Sequence, residues 1–218
     1  WTPPGFDHAI KASEPVGFTD ADWAGCLDSR LSTTSYLTFM AGGPISWKAR
    51  KQKAHASSSA ESELIAMAAG ARDLIYVRAT LKNLGVFVQT KPTVLMSDSS
   101  AAIAIADKPG MKEKTKHIAL RYFQIRELQR QELIKVRKIG TDFNPSDLGT
   151  KALGPVTFLR HLATVVGEIP AAASSEASAV GSESVCRQQE WSDDGKSTAL
   201  AVVNLLESTG WELVQYGR

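Results

Sequence analysis

A chain of 218 residues, 43% apolar and 22% charged, has the composition of a globular protein that can build a core without staples. Its two cysteines, Cys26 and Cys186, follow no metal-ligand spacing, and no apolar run is long enough to cross a bilayer. A disulfide scaffold, a cysteine-held zinc site and a membrane-spanning helix are therefore excluded as expectations, and a reduced, intracellular protein is expected. The net charge of +2 is uneven: residues 1–151 carry 21 Lys and Arg against 15 Asp and Glu, and residues 152–218 carry 4 against 8. A basic body with an acidic extension fits a polyanion-binding domain followed by an unrelated tail, and chance variation along the chain fits equally. The start, Trp1-Thr2-Pro3-Pro4-Gly5, has no initiator Met and no signal-peptide pattern, so a fragment of something longer is expected.

The first half reads as strands. Val16-Gly17-Phe18-Thr19 is short, bulky and ends in acids. Residues 34–40 (TSYLTFM) are aromatic and β-branched. Gly42-Gly43-Pro44 marks a turn, and Ile45-Ser46-Trp47-Lys48 alternates after it. These three runs predict an antiparallel meander. A helix follows, with Ser58 and Glu61 at capping-box spacing and Leu64, Ala68, Ala71, Ile75 and Arg78 on one side. Leu74, Val77, Leu81 and Leu84 widen the stripe, and Gly85 is a stop signal.

Thr93-Val94-Leu95-Met96 then reads as a buried strand ending at Asp98. Residues 99–106 read as a short helix capped by Asp98 or Ser99, residues 108–116 as a basic loop, and residues 118–131 as a second long helix. Residues 133–139 form another strand, and Asn144-Pro145-Ser146-Asp147 opens a last short helix. Strands first and alternation later predict a mixed sheet covered by helices on both faces. Beyond residue 153 the character changes. Residues 171–184 (AAASSEASAVGSES) are of low complexity and read as a linker, with a small amphipathic helix expected over 197–207. The expected organisation is an N-terminal fragment or linker (1–14), a domain (15–153) and a largely disordered tail (154–218).

Four acids sit where strands end or helices begin: Asp20, Glu63, Asp98 and Asp147. In a sheet-centred fold such ends can meet at one edge. Packed together, the four would repel and resist ionisation unless cations neutralise them. Magnesium is a hard cation that prefers oxygen ligands, and a pair of such ions can activate water and stabilise the leaving oxygen of a phosphodiester. Taken singly, an acid at these positions is more often a cap or turn residue. Periodicity does not bring the four together.

Six segments in order do. Residues 17–25 (GFTDADWAG), 42–48 (GGPISWK), 57–67 (SSSAESELIAM), 97–103 (SDSSAAI) and 147–153 (DLGTKAL) are joined by Thr115-Lys116-His117-Ile118 with Arg121-Tyr122 and Ile125-Arg126-Glu127. Together they resemble the ribonuclease H region of copia-type retrotransposon Pol polyproteins. The resemblance implies a ribonuclease H-like α/β fold, a mixed five-stranded sheet with helices on both faces. It implies a metal-dependent endonuclease that hydrolyses the RNA strand of RNA–DNA hybrids, leaving a 5′-phosphate and a 3′-hydroxyl. Asp20, Glu63, Asp98 and Asp147 match its catalytic, metal-binding acids, with two Mg2+ ions as cofactor and Mn2+ as substitute. A reverse transcriptase module is expected upstream in the parent polyprotein, and a cytoplasmic, particle-associated or nuclear location. The alternative is a captured fragment that binds nucleic acid without cutting it. An integrase-like strand-transfer enzyme is disfavoured by the Glu on the first long helix.

Two near-duplicates need separating. Asp20 and Asp22 share a strand face, so either could reach the site, and the resemblance prefers Asp20. Glu61 and Glu63 face different sides of a helix, and Glu61 suits the capping box, which leaves Glu63 for metal. Ala119, Phe123, Gln124, Ser146 and Ala152 depart from the family pattern without removing an assigned ligand. His117 reads equally as a proton shuttle and as a residue of a basic, substrate-facing loop. The basic residues Lys48, Arg50, Lys51 and Lys53, with Lys114, Lys116, His117 and Arg121, are expected to track phosphates without reading sequence. For Trp23 and Trp47, core packing is a stronger expectation than stacking on nucleic acid.

Overall fold

In the computed structural model, the described residues are 11, 13–86, 91–107 and 116–166, with only the backbone of 116–122. All of them lie in the first of two compact units, residues 1–179. The sheet is built around β1 (Val16–Asp22), which pairs antiparallel with β2 (Thr33–Met40) and parallel with β4 (Thr93–Ser97). β3 (Gly43–Lys51) and β5 (Ile134–Lys138) complete the order β3-β2-β1-β4-β5. The first five residues of β1 are buried, as a central strand covered on both faces requires.

The β2–β3 hairpin turns on Ala41 and Gly42, whose φ values of 55° and 84° are the positive pair a two-residue turn needs. The turn thus starts one residue before the expected Gly42-Gly43-Pro44. Pro44 is tolerated because β3 is an edge strand and the register shifts opposite it, between Thr38 and Phe39.

α1 (Ser59–Asn83) begins where the capping signal places it. Ser58 Oγ accepts the Glu61 N–H at 3.2 Å, and the Glu61 carboxylate accepts the Ser57 N–H at 2.7 Å. The chain leaves the helix through Gly85 at φ 70°. Leu64, Met67, Ala68, Ala71 and Leu74 pack on one sheet face with Leu95, Ile134 and Val136. α2 (Ser100–Asp107) and α3 (Lys116–Arg130) close that layer through Ala102, Ala106 and Ile125. Each fully buried Leu or Ile there contributes about 1.5–3 kcal/mol. Gly70 lets α1 approach β1: a Cβ on it would lie 2.4 Å from Thr19 Cγ2. Arg78 is buried and staples α1 to the sheet by donating to Thr93 Oγ1 and to the Leu133 carbonyl, the latter at 2.6 Å.

The opposite face holds Val16, Phe18, Leu37, Phe39, Met96 and Ile139, with Phe18 and Phe39 edge to face at 5.4 Å. It is covered in part by α4 (Pro155–Val166), through Val165. This helix corrects the expectation that the tail begins at 154. Phe158, Leu162 and Val165 recur at helical spacing, and Leu162 is buried. The mixed five-stranded sheet with helices on both faces, expected for a ribonuclease H-like domain, is present. Trp23 and Trp47 depart from the expected core packing, remaining 49% and 58% exposed. The remaining N-terminal and tail segments, the helix expected over 197–207 and most of the basic loop lie outside the described residues.

Candidate active site

Parallel pairing of β1 and β4 brings their C-terminal ends to the same sheet edge, with Thr19 beside Ser97. Asp20 follows Thr19 in β1, and Asp98 directly follows β4. Asp98 is not consumed as a helix cap, because Ser99 Oγ accepts the Ala102 N–H at 3.2 Å. Asp147 comes from a 3-10 helix, Pro145–Gly149, that docks on the same edge. Its N-cap, Asn144, accepts the Ser146 N–H at 3.3 Å and donates its amide to the Thr19 carbonyl at 3.0 Å. That second bond fixes the helix to β1 one residue before Asp20. Gly149 makes the approach possible, since a Cβ there would fall 2.4 Å from Ser35 Oγ.

Asp20, Asp98 and Asp147 each offer an oxygen within 4.8 Å of the others. Asp20 and Asp147 are 2% exposed, and Asp98 is half-buried. Thr150 Oγ1 donates to Asp20 Oδ2. The Lys151 ammonium lies 3.0 Å from Asp147 Oδ2 and 3.8 Å from Asp20 Oδ2. Burial alone would lower the Lys151 pKa, but Asp20, Asp147 and Asp98 together raise it. Burial, then the Asp20 charge, raises the Asp147 carboxyl well above the usual carboxylate range.

Glu63 stands beside this trio, near the start of α1 and 8% exposed. Burial first, then Asp20 and Asp98, pushes its pKa up to about 9, against a lowering by the Ala21 N–H and Lys151. Glu63 Oε2 and Asp147 Oδ1 are buried without a hydrogen-bond partner. A bare buried carboxylate oxygen costs about 1–3 kcal/mol or more, and clustered acids add repulsion. A hard, oxygen-preferring divalent cation would satisfy both demands, so the donor set fits magnesium.

The two near-duplicate pairs differ in burial and in partners. Glu61 is exposed and engaged in the cap, while Glu63 is buried at the cluster. Asp22 is only half-buried and lies against Gly25, where a Cβ would fall 1.7 Å from its Oδ2. Its pKa is raised by burial and by Asp20, with Lys151 acting the other way.

The basic residues do not form one cluster. Strand alternation puts Lys48 and Arg50 on the α1 side of β3, and Ala49 and Lys51 on the other. Lys53 lies beyond the strand. Lys114 and the side chains of Lys116, His117 and Arg121 are outside the described residues. Sequence reasoning missed Asn144, Thr150 and Lys151 as parts of the site. Helical spacing from Asp147, three residues to Thr150 and four to Lys151, was the available signal. It also missed Lys138, which donates to the Asp98 carbonyl at 2.5 Å, and His161, buried on α4 with Nε2 unpartnered.

No protein-family model matches the chain. It is 41% identical over 143 residues to the retrovirus-related Pol polyprotein from transposon TNT 1-94 of Nicotiana tabacum, matching 65% of this chain and 11% of that protein. It is 33% identical over 141 residues to the corresponding polyprotein from transposon RE2 of Arabidopsis thaliana, matching 65% of this chain and 10% of that protein. Among solved structures it is similar to the N-terminal RNase H domain of a Mycobacterium tuberculosis protein, at 13% identity and a TM-score of 0.46. That alignment covers 63% of this chain and 90% of the other. The homologues of this chain are retrovirus-related Pol polyproteins from transposons, and it spans about a tenth of the length of those it matches.

Proposed function

We propose that the domain is a metal-dependent endonuclease that hydrolyses the RNA strand of RNA–DNA hybrids. The observation that carries this is the pair of buried, partnerless carboxylate oxygens, Glu63 Oε2 and Asp147 Oδ1, beside the Asp20–Asp98–Asp147 cluster. Asp20, Glu63, Asp98 and Asp147 hold two Mg2+ ions, with Mn2+ as a substitute. Bound there, magnesium supplies Lewis-acid stabilisation of the phosphoryl oxygens and lowers the pKa of attacking water. The chain's own residues do the positioning. Thr150 orients Asp20, Asn144 holds the Asp147 helix on β1, and Lys151 neutralises part of the cluster. A polar Ser, Thr or Asn in such a supporting role is typically worth about 10–100-fold in metal affinity or activity.

The 2′-hydroxyls and the hybrid's shape distinguish RNA from DNA, and basic residues including Lys51 and Lys53 contact phosphates. The RNA–DNA hybrid is the substrate, and a reverse transcriptase module in the parent polyprotein is its source. We place that polyprotein inside the cell. Among the described residues, no helix is long and apolar enough to cross a membrane.

The test is cleavage of a labelled RNA–DNA hybrid with magnesium or manganese, then with chelator, beside Asp98→Asn. Cleavage that requires the metal and disappears in the variant is expected. Cleavage surviving either change would overturn the metal-dependent site. Hybrid binding without any cleavage would point instead to a captured, silent fragment.

A further inference from the structure

A cavity of about 370 Å3 opens between the β2–β3 hairpin and α1, lined by Tyr36, Lys48, Arg50, Ala69, Arg72 and Asp73. It lies across the sheet from the Asp20 side chain. Tyr36 pairs with Lys48 and Thr34 with Arg50, on the face that meets α1. Asp20 pairs with Ser35, and Ser35 with Ala49, on the face that meets the Asp147 helix.

The charges in the cavity are arranged unusually. Three cations surround one carboxylate, yet Asp73 makes no ion pair with any of them among the described residues. It instead accepts hydroxyl donors, Thr38 Oγ1 and Ser46 Oγ, each at 2.8 Å. Tyr36 also interacts with Asp73. Hydroxyls therefore fill the carboxylate and leave the cations uncommitted. Lys48 and Arg50 are exposed, and among the described residues Arg72 makes only a long 3.4 Å bond to Gln124. Two guanidinium forks and an ammonium facing one polar cavity match the oxygens of a phosphate, which guanidinium binds in bidentate fashion.

We propose that this cavity binds a phosphate of a nucleic-acid strand, holding the strand's backbone on the sheet face opposite the carboxylates. The identity of the strand rests on the function proposed above; the anion site does not. Neighbouring strands are about 4.8 Å apart, so β3 lies roughly 10 Å from β1 in the sheet plane. At about 3.4 Å of rise per nucleotide, that in-plane span alone takes about three nucleotides, and passing round the sheet edge to the opposite face takes more. Lys51 faces the other side of β3, and Lys53 follows the end of that strand.

The test is binding of a labelled RNA–DNA hybrid, and of its separate strands, across a salt series in chelator, where nothing is cut. Lys48→Gln, Arg50→Gln and Arg72→Gln are compared singly and together, with thermal unfolding as the control for folding. Each single variant is expected to weaken binding severalfold. The triple variant is expected to weaken it at least tenfold and to flatten the dependence of log affinity on log salt by about 0.7–0.9 for each phosphate that is no longer neutralised. Unchanged affinity and salt slope in a folded triple variant would overturn the proposal. Inorganic phosphate and a polyglutamate peptide are the companion probes. Loss of phosphate binding alone, with strand binding intact, would make the cavity a free-anion site and overturn the strand assignment. Polyglutamate binding that depends on the three cations while hybrid binding does not would overturn it too. Because cleavage is assayed separately, a protein that binds here but does not cut would sink the nuclease reading and leave this one standing.

Discussion

Asp73 and the clustered acids pack against the same sheet and are treated in opposite ways. Asp73, between α1 and the β2–β3 hairpin, has its two oxygens filled by Thr38 and Ser46. At the ends of β1 and β4, Glu63 and Asp147 each keep a buried oxygen with no partner, and burial, then the charge of Asp20, raises the pKa of both. Thr and Ser are plentiful in both places, so the difference is not one of supply. A carboxylate that serves the fold is satisfied by the fold. A carboxylate left bare beside others is matched to something the chain does not contain, and a divalent cation is what repelling oxygens accept.

The largest effect that would break the contrast is on cleavage. Asp98→Asn and Glu63→Gln are expected to abolish metal-dependent cleavage of the hybrid. Glu63→Gln is also expected to raise the unfolding temperature in chelator at neutral pH, because burial and two acidic neighbours make the folded form take up a proton at Glu63 that Gln does not need. Asp73→Asn should do the reverse to stability. It weakens two hydroxyl bonds and is expected to cost about 1–3 kcal/mol in urea unfolding, with or without metal. If Glu63→Gln destabilised the metal-free protein as Asp73→Asn does, the two groups of acids would be alike and the contrast would fail.

Gly149→Ala is expected to come next. A Cβ there meets Ser35 Oγ at 2.4 Å, Ser35 Cβ at 2.9 Å and Ala49 Cβ at 3.1 Å, so the 3-10 helix must lift and carry Asp147 with it. Misplacing a reacting group by about 1 Å can cost about a hundredfold in rate, while the overpacking itself costs about 1–3 kcal/mol. A stable, folded variant with full cleavage would show that the position of Asp147 matters little.

The metal-free protein should also lose stability as pH rises. Glu63 titrates at about 9 in the fold against 4.5 ordinarily, and Asp147 is shifted the same way. The folded form therefore holds these protons more tightly than the unfolded chain. Stability from that difference is complete below the ordinary carboxylate range and is lost as pH climbs towards 9. The unfolding temperature in chelator is expected to fall by more than about 4 °C between pH 5 and 9, the effect of about 1–2 kcal/mol in a chain of this size. Saturating magnesium should flatten the slope, since a ligand present at a hundred times its Kd adds about 2.7 kcal/mol. A metal-free unfolding temperature that rises over that range would contradict the crowding of these acids.

Much of this was legible locally. The strands from Val16 and Thr33, the cap at Ser58, the stripe from Leu64 to Leu74 and the stop at Gly85 are short-range signals, and the chain obeys them. The convergence of the acids was not local. Asp20 and Asp147 are 127 positions apart, and only their motifs' resemblance to a known family joined them before the geometry did. α4 was missed although its apolar spacing is regular, because what makes it a helix of the domain is the sheet face beneath it. The split of Lys48 and Arg50 from Lys51 needed only strand alternation, once β3 was known to run through Lys51. Asp73 stood unnoticed between Arg72 and Leu74, since hydroxyl partners 27 and 35 positions away leave no local mark.

The smallest expected effect tests the same contrast two residues apart. Glu61 is answered by the Ser57 N–H, Ser58 caps the Glu61 N–H, and Glu63 is left bare one face round the helix. Ser58→Ala removes one cap bond and should cost about 1 kcal/mol, read as a shifted urea midpoint with an unchanged slope. Ser58→Asp keeps an acceptor for the Glu61 N–H and should restore most of that stability, less whatever the nearby carboxylate of Glu61 repels. Hybrid cleavage under saturating metal should change little in either variant, because the first turn of α1 is also held by Ser62 Oγ donating to the Ser59 carbonyl at 2.8 Å and by Gln52 Nε2 donating to the Ser62 carbonyl at 3.0 Å. If Ser58→Ala instead cost cleavage tenfold at nearly full stability, the cap would be setting the position of Glu63. The satisfied and the bare carboxylate would then be coupled parts of one device.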